Sequence, residues 1–96
     1  MEEQIIELKF DKITTNLAGN KLGRIVYATQ AKEKIDINKI NIINLEDNIE
    51  DVAMSFIQGF CHEILEKVGK EKAKEIIKVR SSHKGIVDKF NKTMLI

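Results

Sequence analysis

The chain has no proline and no tryptophan, and it holds one cysteine, one tyrosine and four phenylalanines among its 96 residues. A single cysteine, Cys61, excludes an intramolecular disulfide, as is usual in a reducing compartment. No apolar run approaches the roughly 20 residues that a membrane-spanning helix needs. The first residues include Glu2 and Glu3 and do not match a signal peptide. We therefore expect a cytoplasmic protein without a membrane segment.

The chain also has no large excess of positive or negative side chains. Sixteen Lys and Arg residues balance 15 Asp and Glu residues, which leaves a net charge of +1. This balance argues against a nucleic-acid-binding protein of the usual strongly basic kind. The residues that are present, 43% apolar and 32% charged, are typical of a globular protein. The length predicts a single domain over residues 1–96 with a small core.

The charges are spread unevenly along the chain. Residues 46–51 contain four carboxylates and no basic side chain, whereas residues 67–84 contain seven basic side chains and two acidic ones. The acidic segment holds Glu46, Asp47, Glu50 and Asp51, and the basic segment holds Lys67, Lys70, Lys72, Lys74, Lys78, Arg80 and Lys84. Two interpretations stay open: solvated surface patches, or a charged face that docks a partner protein.

Apolar spacing in the first half of the chain changes period twice. Residues 5–10 alternate in their second half, which predicts a strand. Residues 20–34 carry apolar side chains at helical spacing, with Gly23 as a weak point that could allow close packing on a sheet. The β-branched run Ile40–Leu45 is nearly continuous, which is typical of a strand covered on both faces.

The second half contains the clearest helix pattern. A broad apolar stripe over residues 55–68 predicts a helix, and Ser55 with Gln58 matches the S-x-x-Q capping box at its start. Gly69 stands where a left-handed cap would end it. A charged connection over residues 70–74, a strand over 76–79 and a helix over 82–94 complete the prediction.

The predicted order is therefore β-α-β-α-β-α. This alternation indicates an α/β fold with a largely parallel sheet and right-handed crossovers. Because three strands are few, residues 11–15 are predicted to add or extend a strand at the edge. A small sheet with exposed edges would also allow a homodimer.

One stretch in this order has a recognisable sequence pattern. After a central strand of the type I-I-x-L, the chain passes through a turn with a hydrophobic residue to a serine-phenylalanine step that opens a helix. The stretch reads Ile49-Glu50-Asp51-Val52-Ala53-Met54-Ser55-Phe56-Ile57-Gln58-Gly59-Phe60. From Ile42 to the C-terminus the chain resembles the STAS-like family of small bacterial domains. That family is related to the sulphate-transporter and anti-sigma-factor-antagonist (STAS) domain.

The resemblance implies a regulatory role. Anti-sigma-factor antagonists bind an ATPase of the histidine-kinase-like type, and phosphorylation of a serine at the start of the second helix releases that partner. Ser55 matches this serine, and the resemblance places a partner-binding edge at Val52, Met54, Ser55 and Phe56. Ala53 and Phe56 stand where the better-characterised antagonists have an acidic residue and a glycine.

The chemistry of such a switch is consistent with Ser55. A helix N-terminus favours negative charge, and a phosphate adds about −1.5 to −2 charges. The nearby carboxylates of Asp47, Glu50 and Asp51 would repel that phosphate. A partner docked over the apolar edge beside Ser55 would then be expelled. The alternative is that Ser55 only caps the helix.

Other chemistry finds little support in the sequence. Cys61 falls on the apolar stripe, His62 and Glu66 form a surface pair, and no third metal ligand is evident. We therefore expect no enzyme, no cofactor and no metal site. The alternative to a regulatory module is a small inhibitor, for example phage-encoded, that blocks a host protein complex by surface occlusion. Nucleic-acid binding is not expected, since Tyr27 is the single exposed-looking aromatic.

Overall fold

Four α-helices and a small parallel sheet form the part of the chain that the structure, a computed structural model, describes: residues 1–95. The elements are β1 (Glu3–Leu8), β2 (Asn16–Leu17), α1 (Asn20–Val26), β3 (Ile40–Leu45), β4 (Asp51–Val52), α2 (Met54–Val68), α3 (Lys70–Ile76), β5 (Ile77–Arg80) and α4 (Lys84–Leu95). A wider π-helical turn, Tyr27–Ala31, continues α1.

The main sheet has the strand order β1-β3-β5, and both pairs of neighbours are parallel. This confirms the predicted α/β class with a small parallel sheet. The predicted edge strand at residues 11–15 is wrong, because these residues form a turn in which the Thr14 amide donates to the Asp11 carbonyl at 2.9 Å. A short strand follows at β2, and it pairs with β4 in a separate two-stranded sheet.

The two faces of the main sheet differ in burial. Side chains alternate between faces along a strand. Ile6, Leu8, Ile43, Leu45 and Ile77 are buried in the core with residues of the helices. The opposite face carries Glu3, Ile5, Glu7, Ile40, Ile42, Asn44, Lys78 and Arg80, which are exposed or half-buried. The prediction that β3 is covered on both faces is therefore wrong, and its second face is only half-covered.

Two glycines bring α1 and α2 into backbone contact. A Cβ on Gly23 would lie 2.7 Å from the Phe60 nitrogen and still closer to the Phe56 carbonyl oxygen. A Cβ on Gly59 would lie 2.8 Å from the Asn20 carbonyl carbon. Only glycine at both positions permits this approach, which fixes α1 beside the first half of α2.

The aromatic side chains close the same core. The rings of Tyr27 and Phe60 meet edge to face with their centroids 5.5 Å apart, and Phe90 of α4 meets Phe60 in the same way at 6.3 Å. Tyr27 is thus buried rather than exposed. It offers no platform for stacking with a nucleic-acid base.

The connection after α2 also differs from the prediction. Gly69 ends α2 with a positive φ of 83°, as its sequence position predicts, but its ψ of 166° differs from that of a left-handed helical cap. The next residues then form α3 instead of a charged connection. Ala73 and Ile76 are buried against the core, and this burial stabilises a helix whose other side chains are mostly charged.

Asn41 is a fully buried polar residue at the start of β3. Its Nδ2 donates to the carbonyls of Asp36, Lys39 and Ile76 at 2.9, 3.1 and 3.1 Å. Its Oδ1 accepts from Gln4 Nε2 at 2.6 Å and from the Asp36 amide at 3.0 Å. One side chain therefore ties β1, the loop before β3 and the end of α3 together.

Candidate functional site

The candidate site lies where two strand-to-helix junctions run side by side. Leu17 of β2 pairs with Val52 of β4, and the Ala53 amide donates to the Leu17 carbonyl at 2.7 Å. Because both short strands are parallel and each leads into a helix, residues 18–20 lie beside residues 53–55. The contact between α1 and α2 continues this pairing away from the junctions.

Ser55 joins the two junctions. The Gly19 amide donates to Ser55 Oγ at 3.0 Å, and the Ser55 side chain is half-buried. Gly19 has φ 101°, a backbone conformation that other residues rarely adopt. The loop conformation that aims this amide at the hydroxyl therefore depends on glycine.

The predicted capping box at Ser55 and Gln58 is wrong. The residue before the helix is Ala53, whose carbonyl accepts from the amides of Phe56 and Ile57 at 3.0 and 3.2 Å. Ser55 is the second residue of α2, so its hydroxyl is used for the bond from Gly19 instead. This corrects the interpretation of Ser55 as a cap, since its hydrogen bond joins the loop before α1 to the first turn of α2 and does not close the helix end.

The structure separates the four predicted partner-binding residues into two groups. Met54 is 47% exposed and Ser55 is half-buried, so both can be reached from solvent. Val52 and Phe56 are fully buried. Phe56 stacks on Phe60 with a centroid distance of 6.1 Å. The prediction that Val52 and Phe56 contact a partner is therefore wrong for this fold, because both side chains belong to the core.

Two carboxylates of the acidic segment near the site bind groups of the same molecule. Glu46 Oε1 accepts from the Phe10 amide at 3.0 Å. Asp51 pairs with Lys89 of α4 at 2.9 Å, and the hydrogen bond from Lys89, followed by the Val52 amide and the Lys89 charge, lowers the pKa of Asp51. The repulsion expected between Asp51 and a phosphate is thus partly neutralised by Lys89.

The basic segment begins at the other end of α2. A helix rises about 1.5 Å per residue, which places Lys67 about 18 Å from Ser55 along the axis. Within this segment Lys78 Nζ donates to the Lys74 carbonyl at 3.0 Å and Arg80 Nε donates to Asn44 Oδ1 at 3.0 Å. A partner that docks at Ser55 would therefore not use the start of the basic segment unless it also spanned α2.

Cys61 and His62 do not form a nucleophile pair. Cys61 is buried, and this burial raises the pKa of its thiol to about 12. His62 Nε2 contacts the Glu66 carboxylate on the surface of α2, which confirms the predicted surface pair. His83 is half-buried, and its Nε2 lies 3.0 Å from the Asp47 carbonyl oxygen.

No pattern in the sequence indicated which group donates the hydrogen bond to Ser55. Gly19 lies 36 residues from Ser55, and it takes part through its backbone amide. Within residues 1–95, no group of three or more His, Cys, Asp or Glu side chains lies close enough together to hold a metal ion. In the same residues, no helix has the length and apolar character that a bilayer crossing requires.

Comparisons of the chain with models of protein families, with curated proteins and with solved structures gave no match. The function of the site therefore has to be inferred from its own geometry and from the sequence pattern around Ser55.

Proposed function

We propose that this protein is a non-enzymatic regulatory module that binds a protein partner at the start of α2 and is switched by phosphorylation of Ser55. The observation that carries the proposal is the hydrogen bond from the Gly19 amide to Ser55 Oγ at 3.0 Å. It makes a single hydroxyl the link between the loop before α1 and the first turn of α2. A change at this hydroxyl therefore affects that loop and that helical turn at once.

The size and charge of a phosphate supply the switch. A phosphate carries about −1.5 to −2 charges and three acceptor oxygens. The first turn of α2 and the Gly19 amide both favour negative charge at this point. Ser55 is half-buried, however, and its hydroxyl already accepts a hydrogen bond from the Gly19 amide, so the added group would have to displace the Gly19 loop. Phosphorylation would therefore move that loop and change the surface around Met54.

The proposed partner follows from the sequence resemblance. The pattern around Ser55 is similar to that of anti-sigma-factor antagonists, whose partners are ATPases of the histidine-kinase-like type. A parallel sheet with helices between its strands supports a STAS-like arrangement for this chain. Met54, 47% exposed beside Ser55, offers the partner an apolar contact. We place the interaction in the cytoplasm, where such ATPases act.

Affinity capture from the native cell tests the proposal. Wild type, Ser55→Ala and Ser55→Asp serve as bait, and mass spectrometry identifies the bound proteins. Ser82→Asp is the matched control, because it adds the same charge at an exposed serine before α4. The proposal predicts that an ATPase of the stated type binds wild type, Ser55→Ala and Ser82→Asp but is lost from Ser55→Asp.

The competing function, a surface-occluding inhibitor, gives a different result in the same experiment. An inhibitor that docks through the basic segment would bind one host complex equally well in all four forms. It would lose that complex when exposed lysines such as Lys67 and Lys70 are changed to Glu. That outcome would overturn the proposed switch and leave Ser55 as a structural link.

A further inference from the structure

The face of the main sheet that lies away from the helices has an unusual composition. Sheets built only of parallel strands nearly always have both faces covered. Here the side chains of the second face are exposed or half-buried, and the centre of this open face, as we call it, is apolar: Ile5 is 50% exposed, and Ile40 and Ile42 of β3 are half-buried. The register places Ile5 beside Ile42, so the three isoleucines form one patch.

Charges frame this patch with opposite signs on its two edges. Glu3 and Glu7 lie on the β1 edge, while Lys78 and Arg80 lie on the β5 edge. The arrangement gives the open face an acidic border and a basic border, separated by the width of one strand.

A hydrogen-bonded row crosses the face between the two borders. Glu7, Asn44 and Arg80 share one register position. Asn44 Nδ2 donates to Glu7 Oε2 at 2.7 Å, and Arg80 Nε donates to Asn44 Oδ1 at 3.0 Å. The row holds a carboxylate at one end and a guanidinium at the other, each with further hydrogen-bonding capacity for a partner.

We propose that this open face binds a second copy of the chain, with a two-fold axis that runs parallel to the strands. Such an axis places the β1 edge of one copy over the β5 edge of the other. It leaves each residue at the same height along the strand direction in both copies. Glu7 of one copy then lies over Arg80 of the other, twice in the dimer, and Ile42 lies over Ile42. A two-fold axis across the strands would place the acidic β1 edge of one copy over the acidic β1 edge of the other, so the charges select the first arrangement.

The expected geometry is that of two aligned sheets packed about 10 Å apart. β1 and β3 have six residues each, and β5 has four. With strands about 4.8 Å apart and a rise of about 3.3 Å per residue, the sheet covers a plane of at most about 14 by 20 Å. Two such planes amount to about 560 Å² before the relief of the side chains is counted, which places this interface at the small end of the range for protein complexes. Interfaces at this small end of the range are typical of weak complexes, so we expect a dimer that forms only at high protein concentration.

Sedimentation velocity between about 1 and 500 μM tests the dimer across this range. Wild type should pass from monomer to dimer as its concentration rises. Glu7→Arg and Arg80→Glu should each weaken the dimer by about tenfold or more, since each places like charges in contact. The double variant Glu7→Arg with Arg80→Glu restores opposite charges and should recover an affinity close to that of wild type. Glu33→Arg, an exposed change of equal charge outside the strands, should leave the dimer unchanged.

Salt provides a test that needs no variant, because charge pairs at the rim are screened by added ions. The wild-type dissociation constant should rise when NaCl is increased from about 0.05 to 0.5 M. A monomer at every concentration would overturn the proposal and leave the face to a different protein. A dimer that the double variant fails to restore, although it folds by circular dichroism, would overturn the proposed axis and pairing.

Discussion

The contact between α1 and α2 gives the sharpest prediction about the fold. Gly59 lies against the Asn20 carbonyl, and a Cβ at this position would come within 2.8 Å of the Asn20 carbonyl carbon. Ordinary contacts of a Cβ lie at 3.4–4 Å, so a Gly59→Ala change must push the two helices apart. Both sides of this contact are backbone atoms, which cannot turn away as a flexible side chain can.

Two opposing effects decide the magnitude. Alanine is favoured over glycine inside a helix by about 1 kcal/mol. Overpacking of a well-packed core costs about 1–3 kcal/mol, and a gap of 0.5–1 Å forfeits a quarter to a half of the dispersion energy of each separated contact. Because backbone atoms cannot turn away, the overpacking cost should lie at the upper end of this range, and after the gain from alanine we expect a net loss of about 2 kcal/mol. For a domain of this size that corresponds to a melting temperature lower by about 8–16 °C.

Urea and thermal unfolding, followed by circular dichroism, measure this loss. The matched control is Gly85→Ala in α4, where nothing lies within 4 Å of the added Cβ. The same substitution should there stabilise the protein, by up to about 1 kcal/mol. Opposite signs at Gly59 and Gly85 support the close contact. A Gly59→Ala variant as stable as wild type would refute it.

Two further predictions concern buried groups. Asn41→Ala removes a side chain that makes five hydrogen bonds in a fully buried position. It should lower the free energy of urea unfolding by about 3 kcal/mol, and the exposed change Asn38→Ala by less than about 0.5 kcal/mol. Equal effects would contradict the network. Burial raises the pKa of Cys61 from 9.0 to about 12, so between these pH values the thiol ionises only in the unfolded chain. The free energy of unfolding should therefore fall as pH rises above about 9. Cys61→Ala should remove the part of this decline that comes from the thiol. If the variant shows the same dependence of unfolding free energy on pH as wild type, the thiol is in contact with solvent.

The elements with strong periodicity could be predicted from the sequence. The apolar stripe of α2 is the clearest case, since Phe56, Phe60 and Ile64 are all buried as their spacing predicts. The central strand Ile40–Leu45 has the same bounds in the structure as in the prediction. In both elements the local pattern and the tertiary burial agree, so sequence spacing alone is informative.

The elements that the sequence did not indicate lack such a pattern. β2 and β4 have two residues each, too few for any period, and their pairing is between segments far apart in the chain. α3 is dominated by Lys and Glu, and only Ala73 and Ile76 are buried. Its helical state depends on packing between the end of α2 and β5, which the segment itself does not reveal.

The site was predicted in part. The sequence indicated Ser55 at the start of a helix, and it lies one residue inside α2. The role of its hydroxyl differs from the prediction, because the donor is the distant Gly19 amide. Val52 and Phe56 were expected at an apolar edge, but alternation within β4 and the inner face of α2 bury both. Hydrophobicity alone does not distinguish a docking surface from a core when the chain is this short.

The most direct measurement of the proposed switch compares two pools of the protein from its own cells, one bound to the partner and one free. Peptide mapping by mass spectrometry gives the phosphorylated fraction of Ser55 in each pool. The account predicts unmodified Ser55 in the bound pool and phosphorylated Ser55 in the free pool. The same modification state in both pools would contradict it, and Ser55 would then serve only to hold the Gly19 loop against α2.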